Sequence, residues 1–309
     1  MTAGRPIDMQ SQDQASQYIV SIRQLGETLG QLSAHFRNNI PNGERLADDK
    51  YSTDNWRRNT YGNILIRLRQ LTENNFRIVE TLSLLVTARY IFEATIWLRL
   101  FQKDKRYCLI YYRELLKTQL RFYEDSLAQL HREIALLKRF GEMDHHENSM
   151  TLEDIRASTS SADFAKTVRS AMDRVDSEAA KCFSIYADQA RTNGYEFQAY
   201  LVGTQAIPPV EENISRLKSE IAEFEKNVPA DVQNLLKGRW QWRGMSDEAG
   251  MLEEHDYIYA YASKLVHATP ASITTDQKNL EMPEVCIFLR YIQVKLLEII
   301  DLASLQPAM

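Results

Sequence analysis

Residues 82–101 read LSLLVTARYIFEATIWLRLF and form the most apolar stretch of the chain. Arg89 and Glu93 lie inside this stretch, four residues apart. Because residues four apart lie on one face of an α-helix, the spacing predicts a helix with a polar pair on an otherwise apolar surface. Together with Arg99, these charges argue against a membrane span, so we expect a core helix.

The Arg89–Glu93 pair allows two interpretations. An unpaired charge inside a protein is costly, so each group is expected to bind the other or a group from another helix. Breaking a buried ion pair costs about 3–5 kcal/mol, whereas replacing both members with apolar residues can be neutral. The first interpretation is structural: the two residues form an ion pair that fixes helix register, or an exposed pair on a helix that is less buried than it looks. The second is functional: the two residues form the polar wall of a site.

The composition is that of a helix-rich globular protein. Among 309 residues, 44% are hydrophobic and 26% charged, with only 11 Gly and 8 Pro. The net charge of −5 excludes a global basic field that would attract nucleic acid, although it leaves room for a local basic patch. The polar N-terminus lacks an apolar signal core. The three cysteines are widely separated and form no CxxC motif, so we predict a cytoplasmic protein without structural zinc or disulfides.

Apolar residues recur at intervals of three and four along most of the chain, which predicts a succession of amphipathic helices. These helices are expected over residues 14–36, 56–71, 75–102, 106–140, 163–193, 210–228, 247–267 and 284–302. The short KDK turn at residues 103–105 joins two long helices, as in an antiparallel hairpin. The predicted fold class is therefore all-α, a helical bundle with long antiparallel helical hairpins.

Composition divides the chain into five predicted segments. Residues 141–161, GEMDHHENSMTLEDIRASTSS, are polar, acidic and without periodicity, which is typical of a linker or loop. The predicted segments are a flexible arm (1–13), the N-terminal half of the bundle (14–140), this polar linker or loop (141–161), a helical hairpin insertion (162–228) and the C-terminal half that completes the core (229–309).

Two of the helices carry apolar seams that could bind other helices. Their residues alternate by three and four, a spacing that suits antiparallel packing or a short coiled coil. The seams consist of Leu120, Tyr123, Leu127, Leu130, Ile134 and Leu137, and of Val210, Ile214, Leu217, Ile221, Phe224 and Val228. They predict a protein partner or a homo-oligomer.

A second polar pair lies near the end of the chain, in YASKLVHA at residues 261–268. Ser263 and His267 are four residues apart there, and Tyr259 lies one turn before Ser263. A helix C-terminus favours a protonated imidazole, and a nearby carboxylate strengthens that preference. If this helix packs against residues 82–101, Arg89 and Glu93 would form one polar cluster with Ser263 and His267. Alternatively, His267 is a helix cap or a satisfied core histidine.

Basic and aromatic residues alternate in LLKGRWQWRGMSDEAG at residues 235–250. Arg239, Trp240, Trp242 and Arg243 could bind single-stranded nucleic acid by stacking on bases and contacting phosphates. The alternative is a loop that its tryptophans anchor to the core.

Two sequence blocks carry a family resemblance. ARYIFEATIWL in the first half, and RWQWRGMSDEAG followed by YAYASKLVHATPAS near the end, resemble an uncharacterised family of helical prokaryotic proteins. More distantly, the chain resembles the HEPN superfamily (higher-eukaryote and prokaryote nucleotide-binding domains) over residues 55–140 and 235–305. The signature of this resemblance falls on Arg89, Glu93, Ser263 and His267.

The resemblance implies a HEPN-like bundle and two classes of function. The first is a noncatalytic nucleotide- or RNA-binding or regulatory partner in a prokaryotic defence or toxin system. The second is a metal-independent ribonuclease, in which His267 would act as acid or base, Arg89 would stabilise phosphate charge and Glu93 would orient one of them. No Arg stands four to six residues before His267, as the ribonuclease members require, and this departure favours binding.

Other enzyme classes lack their motifs. The sequence contains neither a GxxxxGK[ST] phosphate loop nor an HExxH zinc motif, and we predict no cofactor and no metal. A purely structural protein–protein interaction module remains a third interpretation of the chain.

Overall fold

The computed structural model describes residues 9–38, 51–74, 81–157, 173–237, 240–259, 261–262 and 280–305. Every regular element within these ranges is a helix, which confirms the prediction of an all-α helical bundle. None of the helices described there contains an apolar segment of the length and hydropathy that crossing a membrane requires.

The helices begin and end as follows. The first four are α1 (Met9–Asn38), α2 (Thr53–Asn74), α3 (Thr81–Lys103) and α4 (Tyr107–Ala157). Then come α5 (residues 173–181), α6 (Ala187–Asn193), α7 (Tyr195–Leu201), the π-helical turn π1 (Val202–Ala206) and α8 (Ile207–Asn227). The last are α9 (Ala230–Leu236), α10 (Trp242–Glu248), α11 (Leu252–Glu254), the turn π2 (His255–Tyr259) and α12 (Met282–Ser304).

These helices belong to two compact units. The first unit comprises Met1–Tyr112 and Val228–Met309, and the second comprises Arg113–Asn227. The boundary lies inside α4, whose first six residues belong to the first unit.

The core of the first unit forms where α12 packs against both α1 and α3, while α2 packs against α1 and α3. Helix α12 begins with a capping box between Glu281 and Glu284, and Pro283 occupies its first turn, where a proline costs no hydrogen bond. Six apolar residues that recur with the helical period along α12 are all buried: Val285, Phe288, Leu289, Ile292, Leu296 and Ile299. The 3.6-residue period therefore identified the inward face of this helix correctly.

Helices α1 and α2 cross closely at Gly26. A β-carbon at this position would lie 2.4 Å from the hydroxyl oxygen of Thr72, which is far below van der Waals contact. Only glycine allows this approach of the two helices.

The second unit forms around α4. One apolar cluster contains Leu130 and Leu137 of α4 with Val202 and Ile207, and Leu127 and Ile134 pack against it. These four seam residues of α4 therefore pack against helices of their own unit, and a protein partner at this seam stays a prediction. A second cluster joins Phe140 of α4 to residues of α5.

Helix α4 continues through residues 141–157, where the sequence predicted a polar linker or loop. The polar residues there are compatible with a helix, and tertiary contacts are made by the first turn of this extension. Met143 packs against the cluster around Phe140, and a β-carbon at Gly141 would lie only 3.3 Å from the β-carbon of Tyr195. Residues 158–161 lie outside the described residues. Residues 9–13 of the predicted flexible arm are also helical, as the start of α1.

The helix predicted over residues 163–193 is interrupted between α5 and α6. Phe183 has a φ of 52° and is exposed rather than buried. The interruption is held by Glu133 of α4, whose carboxylate accepts hydrogen bonds from the Ser184 hydroxyl and from the Tyr186 N–H. Because this interaction is long-range, helical periodicity gave no sign of it.

We expect Leu137→Ala to lower the free energy of unfolding by about 2–5 kcal/mol, because the Leu137 side chain is fully buried in the α4 cluster. Phe122→Ala on the same helix is the matched control. Phe122 is 67% exposed, so its loss should change stability by less than about 0.5 kcal/mol. Chemical denaturation followed by circular dichroism measures both values, and equal losses would contradict the described packing of α4.

Candidate functional site

The pair that the sequence singled out lies on α3 and is partly buried. Arg89 Nε donates to Glu93 Oε1 at 3.0 Å, and the two side chains are 30% and 24% exposed. Burial raises the pKa of Glu93 above its usual value, although the hydrogen bond and charge of Arg89 act in the opposite direction. The pair is therefore neither a surface salt bridge nor a fully desolvated one.

Arg89 also binds the aromatic residue that ends π2. Its terminal nitrogen Nη2 donates to the Tyr259 hydroxyl at 2.8 Å. The guanidinium carbon lies 4.2 Å from the centre of the same ring, within the range of a cation–π contact. This interaction joins positions 170 residues apart and fixes the guanidinium on two sides.

His255 extends this group of residues. Its ring stacks on Tyr259 with centroids 4.9 Å apart and planes inclined by 14°. Its Nδ1 lies 3.1 Å from the carboxylate of Asp256, which is 3.5 Å from the guanidinium of Arg243. Phe92 of α3 contacts the rings of both His255 and Tyr259. We call Arg89, Glu93, His255, Asp256 and Tyr259 the Arg89 cluster.

The segment carrying His255 and Tyr259 is a π-helical turn, a conformation that is rare and recurs at functional sites. The sequence contained a signal for these two residues, because His255, Tyr259, Ser263 and His267 follow one another at intervals of four. Of these four, the sequence predicts only Ser263 and His267 as site residues. Both lie outside the described residues, so their convergence with Arg89 and Glu93 stays a prediction.

The four residues of the basic and aromatic tract differ in their surroundings. Arg239 lies outside the described residues. Trp240 packs edge-on against Tyr107, as the anchoring interpretation predicts, and its buried indole Nε1 has no hydrogen-bond partner among the described residues. Trp242 is half-buried at the start of α10. Arg243 is 68% exposed and reaches Asp256, which links the tract to the Arg89 cluster.

A second polar network connects α3, α11 and α12. The ammonium of Lys295, only 7% exposed, lies 2.9 Å from the carboxylates of both Glu254 and Glu298. Arg99 also binds Glu298, and the Tyr291 hydroxyl donates to Glu254 at 3.0 Å. Sequence reasoning missed this network, since its members are distant in the chain.

The contacts between α3 and residues 248–259 show the relative direction of the two segments. Arg89 binds Tyr259, Arg99 donates to the carbonyl oxygens of Ala249 and Gly250 at 3.4 Å, and Lys103 binds Glu248 at 2.6 Å. Residue numbers rise along α3 while those of its partners fall. The segment 248–259 therefore runs antiparallel to α3, and the polar stripe of α3 faces it.

A cavity of about 500 Å³ opens beside the same helix. Its wall contains Arg67, Gln70 and Asn63 of α2 together with Tyr90 and Tyr111. Burial raises the pKa of both tyrosines above its usual value, and their hydroxyls can donate hydrogen bonds into the cavity. Arg89 is not part of this wall, and the cavity is therefore separate from the Arg89 cluster.

Glu133 is the buried carboxylate of the second unit. One of its oxygens accepts the hydrogen bonds from Ser184 and Tyr186, while the buried Oε2 has no hydrogen-bond partner within the described ranges. Nearby, Arg139 donates to the Cys182 sulfur at 3.0 Å. These contacts define the bend between α5 and α6, and we assign them a structural role.

No model of a known protein family, no curated protein and no solved structure matches the chain. In the ranges that the structure describes, no three His, Cys, Asp or Glu side chains are grouped as metal ligands would be. The candidate site is therefore defined by its own geometry, and the HEPN-like resemblance stays a prediction.

The polar network predicts an acid-dependent stability. Burial alone would raise the pKa of Glu298, but hydrogen bonds from Arg99 and Lys295 hold it below its usual value. A carboxyl group whose pKa is lower in the folded than in the unfolded state stabilises the protein above the unfolded pKa of about 4.3. That contribution is lost as the pH falls below this value toward the folded pKa.

We therefore expect Glu298→Gln to lower the free energy of unfolding at pH 7 and to flatten its decrease between pH 6 and pH 3. Denaturant titrations at several pH values measure both effects. Glu253→Gln, at an exposed position of α11, is the control and should retain the pH dependence of the original chain. An unchanged slope in the Glu298 variant would contradict a stabilising role of this carboxylate.

Proposed function

We propose that this chain is a HEPN-like helical protein that binds a nucleotide or RNA through the Arg89 cluster. In this proposal it serves as a binding or regulatory partner component of a prokaryotic defence or toxin system. The observation that carries the proposal is the contact between Arg89 and Tyr259. It joins the Arg-x3-Glu motif of α3 to the chain segment that leads in sequence to Ser263 and His267.

The chemistry of Arg89 suits a phosphate-bearing ligand. A guanidinium is planar and permanently charged, and its paired N–H donors match the geometry of phosphate oxygens. Glu93 and Tyr259 already hold this group in one orientation, which reduces the ordering cost of binding. The Arg89 side chain is 30% exposed, so it is not closed off from solvent.

The neighbouring groups support the same class of ligand. Arg243 provides a second, exposed cation beside Asp256. The His255 ring, only 12% exposed, stacks on Tyr259 and so supports the ring that contacts Arg89. Glu93 and Asp256 offset part of the positive charge, so we expect modest affinity and strong dependence on salt concentration.

The assignment to a defence or toxin system rests on the resemblance of the motifs at Arg89 and Glu93 and at Ser263 and His267 to the HEPN superfamily. The proposal also includes the HEPN-like arrangement of the bundle, with its long antiparallel hairpins. A binding role is favoured over catalysis because the Arg and His spacing of the ribonuclease members is missing before His267.

We expect Arg89→Ala to weaken the binding of ATP or of labelled single-stranded RNA about 10- to 100-fold. The reason is that a hydrogen bond to a charged group contributes about 1.5–3 kcal/mol. Arg69→Ala is the matched control, because Arg69 also forms an Arg–Glu pair four residues apart on a helix, but at an exposed position. Fluorescence anisotropy measures RNA binding and calorimetry measures ATP binding.

Two further variants sharpen this test. Tyr259→Phe keeps the ring under the guanidinium but removes the hydroxyl, and should cause a smaller loss than Arg89→Ala. Thermal unfolding of each variant separates loss of binding from loss of structure. Equal affinities for the Arg89 and Arg69 variants, or no binding of either ligand by the original chain, would refute the proposed ligand site.

The ribonuclease alternative is tested on the same samples. Metal-independent cleavage would appear as RNA fragments formed in the presence of EDTA, and it should vanish in His267→Ala if His267 is the acid or base. Equal cleavage by His267→Ala and the original chain would remove His267 from the mechanism. RNA that is bound but left intact would support the noncatalytic role.

A further inference from the structure

The outer surface of α12 carries a second seam, opposite the face that forms the core. Six exposed residues follow one another at alternating intervals of three and four. They are Ile287, Arg290, Val294, Leu297, Asp301 and Ser304. This 3–4 alternation is the spacing of the a and d positions of a coiled coil. We call these six residues the outer seam.

Three members of the outer seam are large apolar side chains. Ile287, Val294 and Leu297 are 65%, 52% and 44% exposed. Single exposed apolar residues are ordinary at protein surfaces and need no explanation. Here the three recur on one helix face at spacings of seven and three residues, over about 15 Å of helix. Such a stripe is typical of a surface that packs against another helix.

We propose that α12 pairs antiparallel with α12 of a second copy of this chain, about a two-fold axis that passes between Val294 and Leu297. In this register Val294 of one copy packs against Leu297 of the other, so the centre of the interface is apolar. Arg290 then faces Asp301 of the second copy at each end. Ile287 lies opposite Ser304 at the outer edges.

The charges of the outer seam select this arrangement. In a parallel pair in register, Arg290 would face Arg290 and Asp301 would face Asp301, and like charges placed opposite one another are repulsive. The antiparallel register converts both contacts into ion pairs. It also places each a position opposite a d position, as antiparallel coiled coils require. Because the same stripe serves both copies, the interface is closed and self-complementary.

The outer seam is bordered by another helix on one side. Gln293 of α12 donates to the hydroxyl of Ser21 on α1 at 2.6 Å. This contact places α1 beside one edge of the outer seam. The inference does not depend on the ligand proposed for the Arg89 cluster, since no outer-seam residue belongs to that cluster.

Charge reversal tests both the interface and its register. We expect the full chain to form a dimer at micromolar concentration, measured by sedimentation velocity and light scattering. Arg290→Asp and Asp301→Arg should each raise the dimer dissociation constant at least about tenfold, because each creates two repulsive contacts per dimer. The double variant R290D/D301R should restore the dimer, since the opposite charges face one another again. Lys226→Glu, an exposed charge reversal on α8, is the matched control and should leave the dimer intact.

The other outcomes would overturn the proposal. A strict monomer across the micromolar range would show that the outer seam does not bind a second copy. A dimer that neither single reversal weakens would place the interface elsewhere, and failure of the double variant to recover would exclude the antiparallel register. Val294→Asp provides an independent check by thermal unfolding under dilute, monomeric conditions. A large loss of stability there would show that another segment of the same chain covers the seam.

Discussion

The cost of removing charged side chains from water constrains the whole first unit. Helix α3 is buried over most of its surface, yet it carries Arg89, Glu93, Arg99 and Lys103 along one stripe. A charge near a core is tolerated when a partner of opposite charge or a strong hydrogen-bond acceptor meets it. Residues 248–259 and α12 supply such groups, including Glu248, Tyr259 and Glu298. The antiparallel course of 248–259 along α3 thus satisfies the electrostatic requirements of α3.

The same stripe serves different purposes along its length. Near Arg99, each member of the network around Lys295 contacts a group of opposite charge or a hydrogen-bond partner, and Lys295 itself is only 7% exposed. Near Arg89, the arginine is as exposed as Arg99, at 30% of the side chain, but the partners include the stacked rings of His255 and Tyr259. Stability alone explains the first arrangement. The second combines a positioned cation with an aromatic partner and with the exposed guanidinium of Arg243, and for this reason we place the proposed ligand there.

The sequence predicted those features that depend on local periodicity. The all-α class and the buried face of α12 followed from apolar residues such as Phe288 and Ile292, because a helix repeats every 3.6 residues. Features that depend on distant partners were missed. The bend at Ser184 is stabilised by a hydrogen bond to Glu133 of another helix, and the buried Lys295 forms an ion pair with Glu254. The extension of α4 to Ala157 was also missed, since its last turns have no apolar period.

The sequence likewise predicted only the part of the candidate site that depends on spacing within one helix. The spacing of Arg89 and Glu93 indicated their pairing, because both lie on one helix. Their contact with Tyr259 is set by tertiary packing, and nothing in the local sequence specified which side chain of the later segment would meet the guanidinium. Ser263, His267 and Arg239 lie outside the described residues, and their part in the site rests on the sequence alone.

The turn π1 joins α7 to α8 and determines which face of α8 points toward α4. Val202 and Ile207, at its two ends, are both buried in the α4 cluster although they are five residues apart. In a regular α-helix such residues would point about 140° apart. The wider π turn, whose hydrogen bonds span five residues, brings them toward one side. Deleting one residue here would rotate the apolar face of α8 away from α4, so the second unit tolerates change of residue type in this turn more readily than change of length.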